Sequence, residues 1–231
     1  MKVIQIIARW IFILCLPLLF LSASLAWGFN SQWLFNYGFQ KYDVSQTTGL
    51  SNEELEKIPP SWVNYINSGE EYWHITLTQD GKSFELFTQE EQSHFKDVKQ
   101  LIQLDYRVLL VTVLLALAYS LTSILWRRGK YWRQFARSVI WGSGLTVVLI
   151  IMLGVASLLD FNQLFIQLHY ILFTNTAWSA QGYMLLLFPG DFWFDAALFC
   201  IAFMAGLAII VGAIAFVCLK LNLKKSLDTV K

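Results

Sequence analysis

Charge is scarce in this sequence and unevenly placed. Only 14% of the 231 residues are charged and 56% are apolar, whereas about 25% of the residues of a soluble domain are charged. The formal net charge of +1 provides no broad basic surface, which argues against nucleic-acid binding. The composition therefore predicts an integral membrane protein rather than a soluble one.

Cysteine is also scarce, and its placement argues against two kinds of site. Cys15, Cys200 and Cys218 all lie within apolar runs. They have neither the spacing of zinc ligands nor the distribution of an extracellular disulfide framework. We predict no metal site and no cofactor.

Several enzyme signatures are missing as well. The sequence contains no Gly-x-Ser-x-Gly elbow, no phosphate-binding loop and no His-Glu-x-x-His motif. Any catalysis is therefore expected to be acid–base chemistry on a lipid-like substrate, without a nucleophile from the protein.

Long apolar runs are what the sequence has in quantity. Four of them are long enough to cross a bilayer, which takes about 20 residues. They lie at 10–27, 106–126, 139–159 and 193–219. No ionisable residue lies in the middle of a run, which argues against a transporter or a proton pump. The first run also fits a cleaved signal peptide, but its length favours an uncleaved anchor.

Basic residues predict the orientation of these runs, because they collect on the cytoplasmic side of a membrane. They cluster before the first run, between the second and third, and after the fourth. The clusters are Lys2 and Arg9; Arg127, Arg128, Lys130, Arg133 and Arg137; and Lys220, Lys224, Lys225 and Lys231. Both termini are therefore predicted to be cytoplasmic, which places 29–105 and 160–192 outside.

The first outer segment contains the helix-capping, proline and turn signals that are typical of a small α/β cap. Ser51 opens a capping box, and the next two prolines, Pro59 and Pro60, are expected to stop that helix. Asp80-Gly81 is a strong hairpin signal. Another capping box at 88–91 predicts a helix that continues towards the second run.

The second outer segment is apolar but too broken to be a fifth span. Residues 161–190 contain no formal charge, yet a fifth crossing would place the lysine-rich C-terminus outside. We interpret the segment as an interfacial or re-entrant element. The predicted order is thus 1–28 (N-terminus and first span), 29–105 (cap), 106–126 (span), 127–138 (loop), 139–159 (span), 160–192 (interfacial segment), 193–219 (span) and 220–231 (tail).

Two histidines on the outer side are candidates for proton transfer. His94 precedes Asp97 by three residues on one helix face, where a carboxylate can orient an imidazole. His169 lies in the uncharged segment, where a low dielectric favours the neutral ring. Tyr170, Asn175 and Trp178 follow it and are candidate supporting residues. The same residues also fit structural roles, and the aromatic ones fit an interfacial belt.

Four blocks carry a resemblance to a known family. They are Gly-Leu-Ser-Asn-Glu-Glu-Leu at 49–55, Phe-Thr-Gln-Glu-Glu-Gln-Ser-His-Phe-Lys-Asp-Val-Lys at 87–99, His-Tyr-Ile-Leu-Phe-Thr-Asn-Thr-Ala-Trp at 169–178 and Leu-Phe-Pro-Gly-Asp-Phe-Trp at 187–193. In order and spacing they resemble bacterial four-span membrane proteins that include the lipoprotein intramolecular transacylases.

The resemblance implies both a reaction and a pair of catalytic residues. Family members move the sn-2 acyl chain of a diacylglyceryl-modified cysteine to its α-amino group, using two histidines whose motif positions here are His94 and His169. It also implies a lipoprotein substrate, membrane lipid as surroundings and the bacterial cytoplasmic membrane as location. The sequence makes no prediction about oligomeric state.

Two alternatives remain open at this stage. One is another enzyme of the lipid interface, for example one that acts on free phospholipid. The other is a non-enzymatic membrane protein whose cap binds a partner.

Overall fold

The computed structural model describes residues 2–125 and 131–228. Its helices and strands, in chain order, are α1 (Lys2–Asn30), α2 (Gln32–Lys41), α3 (Val44–Thr48), α4 (Asn52–Leu55), α5 (Ile58–Asn67), β1 (Thr76–Gln79), β2 (Lys82–Glu85), α6 (Gln89–Leu125), α7 (Trp132–Leu172), α8 (Tyr183–Leu187) and α9 (Gly190–Asp228), with a short 3-10 helix at Ala177–Ser179 before α8. The predicted basic residues Arg127, Arg128, Lys130 and Lys231 lie outside the described residues.

The predicted fold class is confirmed. Within the described ranges, α1, α6, α7 and α9 are the helices long and apolar enough to cross a membrane. β1 and β2 form a two-stranded antiparallel sheet. The chain divides into two compact units: Met1–Ser24 with Tyr106–Val155 and Cys200–Lys231, and Leu25–Asp105 with Ala156–Phe199.

The first unit is a helical bundle with an apolar interior. Its buried core consists of Phe12, Leu16, Phe20, Val139, Met204, Ala208 and Ala215. α1 and α7 approach closely at Gly142, where a Cβ atom would lie 2.5 Å from Leu16 Cδ1. Small residues permit such close contacts between membrane helices. Many large apolar side chains of α1, α6, α7 and α9 remain exposed, as expected of lipid-facing surfaces.

The second unit is built around aromatic side chains. The ring of Trp73 lies 4.6 Å from that of Phe87, 4.9 Å from that of Phe95 and 5.1 Å from that of Trp62. Trp73 is almost fully buried. Such ring pairs contribute roughly 0.5–1.5 kcal/mol each beyond the area they bury. They pack α5, the hairpin and the first turns of α6 into one core.

The cap departs from the predicted helices at its prolines. Ser51 caps α4 as expected, accepting a hydrogen bond from Glu54 N, but α4 ends at Leu55. Pro59 and Pro60 then lie in the first turn of α5, so they begin a helix instead of stopping one. Proline suits this position, because the first N–H groups of a helix have no intrahelical partner.

The hairpin forms where the sequence predicted it. Thr76 pairs with Glu85 and Gln79 with Lys82. Asp80 and Gly81 connect the strands with φ values of 52° and 75°. Both are positive, as a type I′ turn requires.

α7 is broken at Asp160, which has φ −160° and ψ 90°. The Oδ1 atom of Asp160 accepts a hydrogen bond from Gln163 N at 2.9 Å. Asp160 therefore acts as the N-cap of a new helical segment. This break lies directly after the predicted end of the third span.

Candidate active site

His94 and His169 meet in the second unit. His94 lies in the second turn of α6, and His169 lies in the part of α7 that follows Asp160. Their ring centroids are 6.0 Å apart, with 32° between the ring planes. Residues that are 75 positions apart in the sequence thus form one pair.

His169 is held by its own helix and surrounded by aromatic rings. Its Nδ1 atom donates a hydrogen bond to the carbonyl oxygen of Phe165 at 2.8 Å. In the neutral ring this places the proton on Nδ1 and leaves Nε2 as the basic nitrogen. The ring lies 4.2 Å from Phe165, 5.2 Å from Trp178 and 5.4 Å from Phe173. Burial lowers the pKa of His169, and the hydrogen bond to Phe165 opposes that shift.

His94 is buried and has an unsatisfied nitrogen. Only 7% of the residue is exposed, and its Nδ1 atom is buried without a hydrogen-bond partner among the described residues. The ring of Phe173 covers it at 4.9 Å, edge to face. Burial, followed by the proximity of His169, lowers the pKa of His94 to about 4, against the opposing charge of Asp97. His94 is therefore neutral at physiological pH.

Asp97 has a different partner from the one that its spacing suggested. Its Oδ2 atom accepts a hydrogen bond from Asn175 Nδ2 at 2.8 Å. The Oδ1 atom of Asn175 in turn accepts from Ala177 N at 3.0 Å. Asp97 thus acts on His94 through its charge and ties the loop after α7 to α6.

The other two predicted supporting residues differ in their distance from the pair. Trp178 packs against His169 and lines the site. Tyr170 is 63% exposed, and its ring contacts Trp178 edge to face at 5.4 Å. Tyr170 is thus a largely exposed residue that contacts Trp178.

Sequence reasoning missed two contributions to this site. The carbonyl group of Phe165 fixes the His169 tautomer, and the ring of Phe173 contacts both histidines. Phe165 and Phe173 each lie four residues from His169, which is a signal for their contacts with that ring, but the contact of Phe173 with His94 has no such signal in the sequence. Among the described residues no group of three His, Cys, Asp or Glu side chains could hold a metal ion.

Comparisons with known proteins place these features in context. A family model described as "Lipoprotein intramolecular transacylase Lit" matches residues 10–193. An uncharacterised protein from Aquifex aeolicus (strain VF5) is 21% identical over 214 residues, which make up 87% of this chain and 94% of that protein.

Solved structures with the same fold are also known. One is the in meso structure of the membrane integral lipoprotein intramolecular transacylase Lit from Bacillus cereus, with a TM-score of 0.78 and 14% identity over 97% of this chain and 100% of that chain. A histidine-to-alanine variant of that protein gives a TM-score of 0.76 at 15% identity, over 96% of each chain. At this identity the likeness shows a shared fold.

Proposed function

The chain belongs to the lipoprotein intramolecular transacylase family, and from that premise we propose how its two site histidines carry the reaction. Membership makes the chain a membrane acyltransferase that acts on lipoproteins. Under this proposal the substrate is a lipoprotein with a diacylglyceryl-modified N-terminal cysteine, bound from the surrounding membrane lipid. Its sn-2 acyl chain moves to the α-amino group of the cysteine.

The observation that carries the proposal is the pairing of two neutral histidines in an aromatic site. Their rings are 6.0 Å apart, so a group bound between them is within hydrogen-bonding reach of both, which is about 3 Å. Burial lowers the pKa of both side chains. Each is therefore available in its neutral form, which can accept a proton at one nitrogen and donate one from the other.

The proton path follows from the tautomer of His169. Its Nδ1–H is occupied by the Phe165 carbonyl, so Nε2 is the nitrogen that takes a proton from the attacking amine. The amine nitrogen bonds to the ester carbonyl carbon and forms a tetrahedral intermediate. When that intermediate collapses, the bond between the carbonyl carbon and the glyceryl oxygen breaks and an amide remains.

His94 then acts as the general acid for the leaving group. Its ring donates a proton to the departing glyceryl oxygen while the proton that His169 took from the amine passes to the other ring nitrogen of His94, so no imidazolate forms and both rings end neutral. Nucleophile and ester belong to one molecule, so no acyl-enzyme is required. The main contribution of the site is to hold the two groups together, which is worth up to roughly 7–11 kcal/mol in well-oriented systems.

The apolar walls suit the lipid part of the substrate. Phe165, Phe173 and Trp178 surround the imidazoles and exclude water from the reacting ester. Trp178 is the candidate hydrogen-bond donor to the developing oxyanion, because the amide of Asn175 already donates to Asp97.

We also propose the predicted orientation in the bacterial cytoplasmic membrane. The loop 127–138 and both termini are cytoplasmic, and the segments 29–105 and 160–192 are outside. This arrangement presents the histidine pair to lipoproteins at the outer surface of the membrane. It is supported by the three basic clusters of the sequence.

Mass spectrometry of lipoprotein N-termini tests the proposal. The full chain is expressed in bacteria that lack their own lipoprotein acyltransferases, as wild type and as His94→Ala, His169→Ala and His74→Ala. We expect an N-acyl, monoacylglyceryl cysteine with wild type and with the His74 control. The other two variants should lower its amount at least about a hundredfold, as expected for loss of acid–base groups.

Other outcomes would point to other functions. Diacylglyceryl cysteine with a free amine, despite normal protein levels, would contradict transacylation. If bulk phospholipid changed instead, the chain would be a different lipid-interface enzyme. If both histidine variants matched wild type, the site residues proposed here would be wrong.

A further inference from the structure

Glu91 is a fully buried carboxylate, with 0% of the residue exposed. Its Oε2 atom accepts hydrogen bonds from Thr88 N at 2.8 Å and from Thr88 Oγ1 at 3.0 Å. These contacts complete the capping box of α6. Among the described residues Glu91 forms no ion pair, so its negative charge is stabilised by hydrogen bonds and by the N-terminus of α6.

A further hydrogen bond of Glu91 reaches far along the chain. Its Oε1 atom accepts from the backbone N–H of Met184 at 2.7 Å, 93 positions away. A helix cap alone does not require this contact. The first turn of α6, one turn before His94, is thereby joined to the start of α8.

Gly182 permits that contact. A Cβ atom at this position would lie 2.5 Å from Glu91 Oε1 and 2.7 Å from Glu91 Cδ. The backbone of Gly182 has φ 169°, an extended conformation that any residue adopts. The glycine is therefore needed for space against the carboxylate and not for its backbone freedom.

The part of the chain that follows α7 and includes α8 forms one wall of the histidine site. Residues 173–187, here called the wall segment, include Phe173, which contacts both imidazoles, and Trp178, which packs on His169. The wall segment is tied to α6 by the exposed hydrogen bond between Asn175 and Asp97 and by the buried one from Met184 to Glu91. The buried contact excludes competing water, so it is the stronger restraint.

We propose that Glu91 is a positioning residue whose carboxylate holds the wall segment against the first turn of α6. It thereby fixes the aromatic surroundings and the relative placement of His94 and His169. This inference rests on the proposed function, since it assigns Glu91 a part in the same site. Glu91 does not touch the substrate.

Kinetics of the purified full chain, with a synthetic diacylglyceryl-cysteine lipopeptide in detergent, test the inference. Glu91→Ala should lower kcat at least about tenfold and change KM by less than about threefold, because the geometry for proton transfer is lost. Gly182→Ala should have a similar effect. The double variant should resemble Glu91→Ala alone, since removal of the carboxylate makes room for the new methyl group.

Three further variants separate positioning from capping and from general damage. Glu91→Gln should retain kcat within about threefold, because its amide oxygen can still accept from Met184 N; its NH2 group can donate to the Thr88 hydroxyl but loses the bond from Thr88 N, so the cap of α6 is weakened and the melting temperature should fall. Thr88→Ala should lower the melting temperature and leave kcat near wild type. Glu90→Ala and Gly69→Ala are matched controls, since Glu90 is exposed and a Cβ at Gly69 meets no atom within 4 Å.

A second readout does not depend on activity. Carbethoxylation of His94 by diethylpyrocarbonate, followed by peptide mass spectrometry, should be about tenfold faster in Glu91→Ala and Gly182→Ala than in wild type, because the wall that buries His94 is loosened. Equal His94 reactivity, or an unchanged kcat in folded Glu91→Ala, would overturn the inference. A wild-type chain that leaves the lipopeptide unchanged would instead refute the proposed function, and the His94 rates would still decide the role of Glu91.

Discussion

At the scale of single residues, the site depends on keeping imidazoles neutral. His94 lies against Phe173 and His169 with its Nδ1 atom unpaired among the described residues. An unsatisfied buried nitrogen costs about 1–3 kcal/mol. Such a cost is typical of a functional site, because a bound substrate can supply the missing partner.

The lowered pKa of His94 predicts the pH dependence of activity. The pKa of His94 is about 4, and burial also lowers the pKa of His169, the general base, so both imidazoles should be mainly neutral at pH 6.5. The acid limb of kcat should therefore lie below pH 6.5. Asp97→Asn removes a charge that raises the pKa of His94 but retains an acceptor for Asn175, so it should move the limb to lower pH. A pH–rate profile of both proteins measures this.

The lowered pKa of His94 also makes the free energy of unfolding depend on pH. Stability falls as the pH falls, which is the opposite of the effect of a histidine in an ion pair. Between pH 6.5 and about 4 the unfolded chain binds a proton at His94 that the folded chain does not. Unfolding is therefore favoured as the pH falls through this window.

For the pH–rate profile, an acid limb of kcat near pH 6.5 in wild type, or a limb that Asp97→Asn moves to higher pH, would contradict this account of the site.

At the scale of helices, α7 is interrupted at Asp160, nine residues before His169. On a straight helix that leads into the second span, His94 lies about 18 Å beyond Tyr106 along the axis, so a meeting with His169 at the interface was expected to need a bend near 101–105 or a cap that folds His94 down. The structure keeps α6 as one helix from Gln89 to Leu125 and places the break at Asp160. In the helical segment after Asp160, Phe165 and His169 are four residues apart and share one face, with their ring centroids 4.2 Å apart.

The cap at this break can be tested directly. Asp160→Ala removes the acceptor for Gln163 N and should cost about 1 kcal/mol, or roughly 2–4 °C in Tm for a chain of this size. It should also lower kcat, because the orientation of His169 is loosened. Asp160→Asn retains a capping oxygen and is the matched control. Thermal unfolding and kinetics in detergent measure both, and equal losses in the two variants would rule out the capping role.

Helix boundaries in the cap illustrate the limits of local signals. The capping box at Thr88 and the Asp80-Gly81 turn were predicted and are observed. At Ser51 the predicted hydroxyl cap forms, but the Glu54 carboxylate accepts from Thr78 N and Lys57. Pro59 and Pro60 were predicted to stop a helix, yet they begin α5. A proline pair is compatible with either end of a helix; here it begins α5, whose Trp62 and Tyr65 are buried.

At the scale of the whole molecule, the proposed function requires one orientation. The histidine pair must face the side on which lipoproteins carry their lipid, and the basic loop must face the cytoplasm. The exposed apolar side chains of α1, α6, α7 and α9 are then covered by lipid tails.

Cysteine labelling in intact cells tests that orientation. In a chain whose native cysteines are replaced by serine, Gln46→Cys lies in the exposed part of α3 and Gln134→Cys lies within the predicted cytoplasmic loop 127–138, in the first turn of α7. A membrane-impermeant maleimide should label position 46 in intact cells and position 134 only after permeabilisation. Retained transacylation checks that each variant is folded. Labelling with the reverse pattern would place the histidine pair on the cytoplasmic side and refute the proposed topology.

The sequence by itself determined the four apolar helices, because a bilayer demands long apolar runs and few other structures use them. It also pointed to His94 and His169, through the resemblance of the blocks around them. Only the tertiary structure decided what surrounds those histidines. Spacing along a helix shows that Asp97 shares a face with His94, but not that Asn175 competes for its carboxylate. Likewise a capping box identifies Glu91 at the start of α6, whereas its bond to Met184 depends on contacts between segments that are remote in the chain.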